Sequence, residues 1–285
     1  MIISFKKFID IVTAKIKHDK DLYMSLLDKL IKYPARYTGY FRLSNPKTKL
    51  IQNATQSREI NFGDVMEMVI TKYIAELGYV NKEKVIEVGD EKLYTDQFFC
   101  DINENVYIIE QKIRDDHDST KKRGQFENFL KKIKAYREKY PENKIYASMW
   151  FIDAEFGNKN SNYYKEKMEE HKDDFENVEM RLFYGKEIFE DLFKRADAWH
   201  EIIDYLTKNK EIINSTPWNI PDFDTSPEVF ECMKKLSEEK LKKLFSDNEK
   251  YTMLRKEVFP TGTNFKKLKE YFKEKDDDRW KLIVF

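Results

Sequence analysis

Two carboxylates and an ammonium stand at a spacing that strand geometry can use. They are Asp96, in Tyr94-Thr95-Asp96-Gln97-Phe98-Phe99, and Glu110 and Lys112, in Val106-Tyr107-Ile108-Ile109-Glu110-Gln111-Lys112. Side chains alternate along a strand, so Glu110 and Lys112 share a face. Thirteen residues separate Asp96 from Glu110, and Asp-Ile-Asn-Glu-Asn at 101–105 has the composition of a turn. A hairpin centred on Asn103 sets Asp96 opposite Glu110. Like charges side by side repel and need a cation between them. Hard oxygens in this number suit Mg²⁺, which takes few carboxylates and keeps waters or phosphate oxygens. A lysine beside the ion can orient or deprotonate a water, or neutralise an oxyanion. Together these are the parts for metal-assisted hydrolysis of a phosphodiester. The bland alternative is a surface hairpin with a cross-strand salt bridge, worth about 0.2–1 kcal/mol.

The elements around that hairpin follow from periodicity. Phe5, Phe8, Ile9, Val12 and then Leu22, Leu26, Leu27, Leu30 recur at helical spacing, predicting two helices broken near His18-Asp19. Lys32 to Arg58 holds two prolines, one glycine and no sustained period, and reads as irregular. Asn61 is a candidate N-cap for a helix whose apolar face is Phe62, Val65, Met66, Val69, Ile70, Tyr73, Ile74 and Leu77, ended by Gly78. Glu67 lies about 110° from the centre of that stripe at 100° per residue, on the seam of the buried face, where it can reach a sheet edge. Strands are expected at 84–88, 93–100, 106–113, 144–152 and 178–184. Between the third and fourth lies a helix capped by Ser119 or Thr120 and stopped by Pro141; further helices are expected at 163–175, 186–193 and over most of the chain after His200. This order points to an α/β core between helical flanks, divided as 1–60, 61–200 and 201–285.

Glu67, Asp96 and Glu110-Gln111-Lys112, in this order, resemble the PD-(D/E)XK nuclease core of type II restriction endonucleases over roughly residues 60 to 195. The resemblance implies a restriction-endonuclease-like core with a mixed central sheet flanked by helices, extended by helical N- and C-terminal regions. It also implies a Mg²⁺ cofactor bound by Asp96, Glu110 and the Gln111 carbonyl, with Lys112 positioning the attacking water and Glu67 holding a second metal or a water. In-line attack would leave a 5′-phosphate and a 3′-hydroxyl. Thr95 departs from the pattern, standing where the family carries Pro.

Charge segregation suggests where DNA would be gripped. The 285 residues carry 52 Lys+Arg against 52 Asp+Glu, so a global polycation is excluded. Yet not one acid occurs in the 27 residues from Lys32 to Arg58. There Arg36, Arg42, Lys47, Lys49 and Arg58 interleave with Tyr40, Asn45 and Gln52, cations for phosphates and amides for base edges. A second segment, Arg114 to Gln125, offers Arg114, His117, Lys121, Lys122, Arg123 and Gln125, with free N–H groups at a helix start favouring phosphate. In related nucleases a Gln near the start of this helix often lies by the site, a place Gln125 would fill. Cys100 and Cys232 form no CxxC pair, and no signal peptide or membrane span is read, so a cytoplasmic protein is expected. The partners implied are double-stranded DNA, a second copy of the chain to cut the second strand, and a cognate DNA methyltransferase. A structure-specific repair or recombination nuclease, a non-catalytic DNA-binding module of the same fold, and a helical interaction protein remain open at this stage.

Overall fold

The computed structural model describes residues 1–15, 19–38, 44–116, 118–155, 159–215 and 221–284. Helices α1 (Phe5–Lys15), α2 (Asp19–Lys32), α3 (Ala35–Thr38) and α4 (Pro46–Glu76) precede the strands. The strands are β1 (Val80–Asn81), β2 (Val85–Val88), β3 (Glu91–Tyr94), β4 (Gln97–Cys100), β5 (Val106–Lys112), β6 (Ile145–Phe151) and β7 (Val178–Tyr184). Helix α5 (Ser119–Lys139) links β5 to β6, and α6 (Ser161–Glu170) links β6 to β7. A π-helical turn at Ile188–Leu192 replaces the expected α-helix and leads into α7 (Ala196–Ser215). The chain ends with α8 (Pro227–Met233), α9 (Glu238–Leu244), α10 (Glu249–Val258), α11 (Thr263–Glu274) and a 3₁₀ turn.

Two compact units result: residues 1–12 with 62–215, and residues 13–61 with 216–285. They do not follow the three consecutive segments expected. The reason is packing: Phe8 and Val12 of α1 and Ala198, Ile202 and Tyr205 of α7 are buried in the same core as Val65, Val69 and Tyr73 of α4. The second unit is helical, with Leu26, Leu27, Leu30, Leu50, Leu241, Leu254 and Leu268 in its own core.

In the first unit a five-stranded sheet runs in the order β1-β4-β5-β6-β7. β1, β4 and β5 pair antiparallel, while β5, β6 and β7 pair parallel. The α helices α5 and α6 serve as the crossovers that parallel neighbours require. Gln97 pairs with Ile109, Phe98 with Ile108 and Phe99 with Tyr107, the register of a turn centred on Asn103. Alternation then sorts the strands: Phe98, Ile108, Ala147 and Met149 share a core with Phe129, Ile133 and Tyr136 of α5, whereas Phe99, Tyr107, Ile109 and Trp150 belong to the core that holds Val65, Val69 and Tyr73 of α4. This is the mixed α/β core with helices on both faces that was expected.

Three local expectations change. The strand 93–100 is two strands, broken at Thr95-Asp96; β3 leaves the main sheet to pair with β2 in a separate hairpin. Residues 46–58 are helix rather than loop, so Asn61 lies inside α4 and caps nothing. The actual cap is Asn45, whose Oδ1 accepts from Thr48 N at 2.8 Å, and Pro46 takes the first helical position, where its missing N–H is no loss. Finally, Asp118 caps α5 in place of Ser119 or Thr120.

The turn that sets the β4/β5 register is tied by Asp101. Its carboxylate accepts from Asn103 N (2.9 Å), Asn105 N (2.9 Å), Asn105 Nδ2 (2.8 Å) and the Tyr107 hydroxyl (3.0 Å). Burial alone would raise its pKa, but the hydrogen bonds from Asn105, Tyr107 and Asn103 hold it below the usual carboxylate range. A depressed pKa stabilises the fold above the unfolded-state value and is lost as pH falls through the folded-state value. Asp101→Ala should therefore lower unfolding free energy at pH 7 by about 1–3 kcal/mol, and the difference from wild type should shrink below about pH 4. Urea denaturation at both pH values checks this; a pH-independent difference would assign the loss to something other than the charge.

Candidate active site

β5 delivers the three central groups, and it is buried from Val106 to Gln111 with Lys112 half-buried at its end. Asp96 arrives from the opposite direction, in the bend between β3 and β4 one residue before the ladder begins. The break matters because it turns the Asp96 carboxylate toward the β5 backbone: Gln111 N donates to Asp96 Oδ2 at 2.7 Å. Thr95 is also engaged. Its N–H donates to Lys84 O at 2.9 Å, and its hydroxyl accepts from Tyr136 of α5 at 3.2 Å. Burial pushes the Tyr136 phenol up to about 12.

The Lys112 ammonium lies at the meeting point. Nζ donates to Asp96 Oδ2 at 2.9 Å and to Gln111 O at 3.0 Å, and stands 3.8 Å from Glu110 Oε2. Burial works against its charge, but Asp96 and Glu110, with Glu67 further off, outweigh burial and raise its pKa above that of an ordinary lysine. Two carboxylates and a main-chain carbonyl thus converge on one cation. Such a donor set fits Mg²⁺, whose remaining positions go to waters and phosphate oxygens. Among the described residues no group of three His, Cys, Asp or Glu side chains is placed to hold a metal ion, so the donor set here is two carboxylates and one carbonyl.

Glu110 is more deeply placed than the hairpin pattern implied, with 9% of its side chain exposed. Burial, reinforced by the Asp96 charge, raises its pKa against the opposing pull of Lys132 and Lys112. Lys132 of α5, itself 5% exposed, donates to Glu110 Oε1 at 2.5 Å. The sequence reading passed over this residue, although its spacing was a signal: it lies three residues after Phe129 and four before Tyr136, on the apolar stripe of α5.

Glu67 joins a network on the other face of the sheet. Lys84 Nζ donates to Glu67 Oε1 at 2.7 Å and to Thr71 Oγ1 at 2.9 Å. Thr71 donates to Gln97 Oε1 at 2.8 Å, and Gln97 Nε2 reaches Glu67 O at 2.9 Å and Gln111 Oε1 at 3.3 Å. Gln97 is fully buried, an amide in an otherwise apolar strand, and was another legible sign. α4 is held from its far end by Glu201, whose Oε1 accepts from the Tyr73 hydroxyl at 2.9 Å and from Ile3 N at 2.9 Å.

The segment after β5 is pinned by Asp115, which is fully buried. It accepts from Asn160 N (2.9 Å), Asn160 Nδ2 (2.8 Å) and the Tyr184 hydroxyl (2.8 Å). Beyond it, Thr120 N and Lys121 N donate to Asp118 at 3.0 and 2.8 Å, so these two N–H groups are not free for phosphate as expected. Lys121 and Arg123 are exposed at the start of α5, Arg114 is half-buried, and Lys122 lies 4.6 Å over the Tyr163 ring. Gln125 accepts from Tyr164 at 3.2 Å; the α5 side chain that meets Glu110 is Lys132, two turns on. In the second unit Arg36 is exposed and stacks 4.5 Å over Tyr33, and Lys47, Lys49, Gln52 and Arg58 follow the cap Asn45 along α4. Tyr40, Arg42 and His117 lie outside the described residues.

The family described as Type II restriction endonuclease, HinfI, matches residues 5–93 and 80–210. The chain belongs to the HinfI family of type II restriction endonucleases. No curated protein and no solved structure matches it. Glu67, Asp96, Glu110, Gln111, Lys112 and Lys132 all fall within the HinfI match, as does the whole of α4. The family is one of site-specific nucleases, so DNA is the partner it implies. No described helix is long and apolar enough to cross a membrane.

Removing one member of a buried ion pair leaves the other uncompensated. Lys132→Met should therefore lower unfolding free energy by about 3 kcal/mol, the low end for such changes because Lys112 remains near Glu110. The neighbouring Lys131→Met, at an exposed position, should change it by less than about 0.5 kcal/mol. Equal effects in urea denaturation would show that the pair contributes no more than a surface contact.

Proposed function

We propose that the protein is a Mg²⁺-dependent type II restriction endonuclease of the PD-(D/E)XK type, hydrolysing double-stranded DNA at a specific sequence. The observation that supports this most directly is the convergence of Asp96 Oδ2, Gln111 O and Glu110 Oε2 around the Lys112 ammonium. Oxygens that gather round one monovalent cation are arranged to hold a divalent one, with Asp96, Glu110 and the Gln111 carbonyl as ligands. A Mg²⁺ ion there would neutralise charge on the scissile phosphate and acidify a water.

The chain's own groups perform the remaining tasks. Gln111 N–H fixes one Asp96 oxygen, and Lys132 fixes one Glu110 oxygen, so each carboxylate is oriented before DNA arrives. Once Asp96 is engaged elsewhere, the Lys112 ammonium is released to orient the attacking water and to balance charge on the phosphoryl oxygens. Glu67, relayed by Lys84, is placed to hold a second water or ion. In-line attack would leave a 5′-phosphate and a 3′-hydroxyl. Cutting both strands calls for a homodimer, and protection of host DNA calls for a cognate methyltransferase acting in the same cytoplasm.

The test is a digest of phage DNA of known sequence by purified protein, with Mg²⁺, with EDTA, and with Lys112→Ala. Discrete fragments should appear with Mg²⁺, vanish with EDTA and fall by at least about 100-fold in the variant. A Mg²⁺-dependent smear would point instead to a structure-specific repair nuclease. DNA retardation without cleavage on several unmodified substrates would leave a binding module.

A further inference from the structure

The first four turns of α4 turn a predicted loop into a surface with a definite chemistry. Leu50 and Ala54 face the core of the second unit, and Asn53 donates to the Tyr37 hydroxyl. At 100° per residue the arc opposite Leu50 and Ala54 carries Thr48, Gln52, Thr55 and Gln56, with Ile51 to one side, between that arc and the core stripe. All five are exposed. Lys47 and Lys49 flank the row, and it ends at Glu59.

Several other exposed helix faces among the described residues carry acid–base pairs at i,i+4: Glu238 with Lys242, Glu239 with Lys243, Asp204 with Lys208, and Lys72 with Glu76 in the later turns of α4 itself. A helix needs such pairs, or strong helix formers, to hold a solvated face. The early turns of α4 have no such pair and rest on helix formers such as Lys49, Leu50, Gln52, Ala54 and Gln56, since Pro46 to Arg58 contains no acid with which to pair. The Gln56 amide has no hydrogen-bond partner among the described residues, and Gln52 uses only its oxygen, accepting from Lys49 at 2.7 Å. Donors, acceptors and one aliphatic side chain are left facing outward.

We infer that this face of α4 enters the DNA major groove and reads base edges. The inference deepens the nuclease reading and rests on it for the nature of the partner. A helix about 10–12 Å across fits a groove about 12 Å wide. Glutamine amides match the paired donor and acceptor of adenine, threonine hydroxyls take either sign, and Ile51 suits a thymine methyl. Lys47 and Lys49 sit where they can meet phosphates without carrying sequence information. From Thr48 to Glu59 the row spans about 16 Å, enough for about five base pairs.

The experiment selects bound sequences from a randomised duplex library with the full-length protein in Ca²⁺, comparing wild type with Gln52→Ala/Gln56→Ala. Cleavage of phage DNA in Mg²⁺ is measured in parallel. Wild type should enrich a motif, and the double variant should lose at least about 10-fold discrimination at one or two positions of it. Its melting temperature and the salt dependence of its binding should stay unchanged, since no charge is removed. Enrichment of the same motif with the same discrimination would overturn the proposal. So would a wild type that cuts DNA yet enriches nothing. A wild type that enriches a motif lost in the variant, but never cuts, would uphold base reading and refute the nuclease reading beneath it.

Discussion

Holding a carboxylate where water barely reaches is the constraint on which the site depends. Glu110 sits on a central strand between two packed layers, and burial by itself would favour its neutral form. The fold answers with two ammonium groups from different elements, Lys132 on α5 and Lys112 two residues along β5. Lys132 can do so only because Phe129, Ile133 and Tyr136 dock α5 on the same sheet face as Ile108 and Glu110. The parallel β5-α5-β6 crossover is therefore part of the chemistry, since it carries a cation to a position that the hairpin alone could not supply.

A similar balance extends outward. Asp96 faces Lys112, and Glu67 faces Lys84, so each acid of the site has its own cation. The arrangement lets Asp96 and Glu110 approach the same ammonium, while Glu67 is balanced on the other face of the sheet. Asp96 and Glu110 raise the Lys112 pKa against burial, which favours the ammonium that holds the two acids together.

Much of the site was legible in the sequence. The turn centred on Asn103 gave the register observed between β4 and β5, because a hairpin with a compact polar turn leaves little freedom. Glu110 and Lys112 shared a face by strand alternation alone. What was not legible came from competition between local and tertiary signals. In Tyr94 to Cys100 only Asp96 departs from a strand-like composition, too little to mark the bend at Thr95-Asp96, where β3 pairs with β2 while β4 pairs with β5. Pro46 marks a loop by composition alone, but after the cap Asn45 it is a helix start. Lys132 and Gln97 were hidden by their polarity, in positions where the period demands apolar residues; a polar residue in phase with a core stripe is the signal to follow.

The most direct test of the account is a Mn²⁺ titration of the purified protein, following the free-ion signal by electron paramagnetic resonance, with wild type and Asp96→Ala compared. The account predicts a bound ion in wild type and at least about 10-fold weaker binding in the variant, with both proteins equally folded by circular dichroism. Identical isotherms would contradict it, because Asp96, Glu110 and the Gln111 carbonyl would then not be where the cation is held.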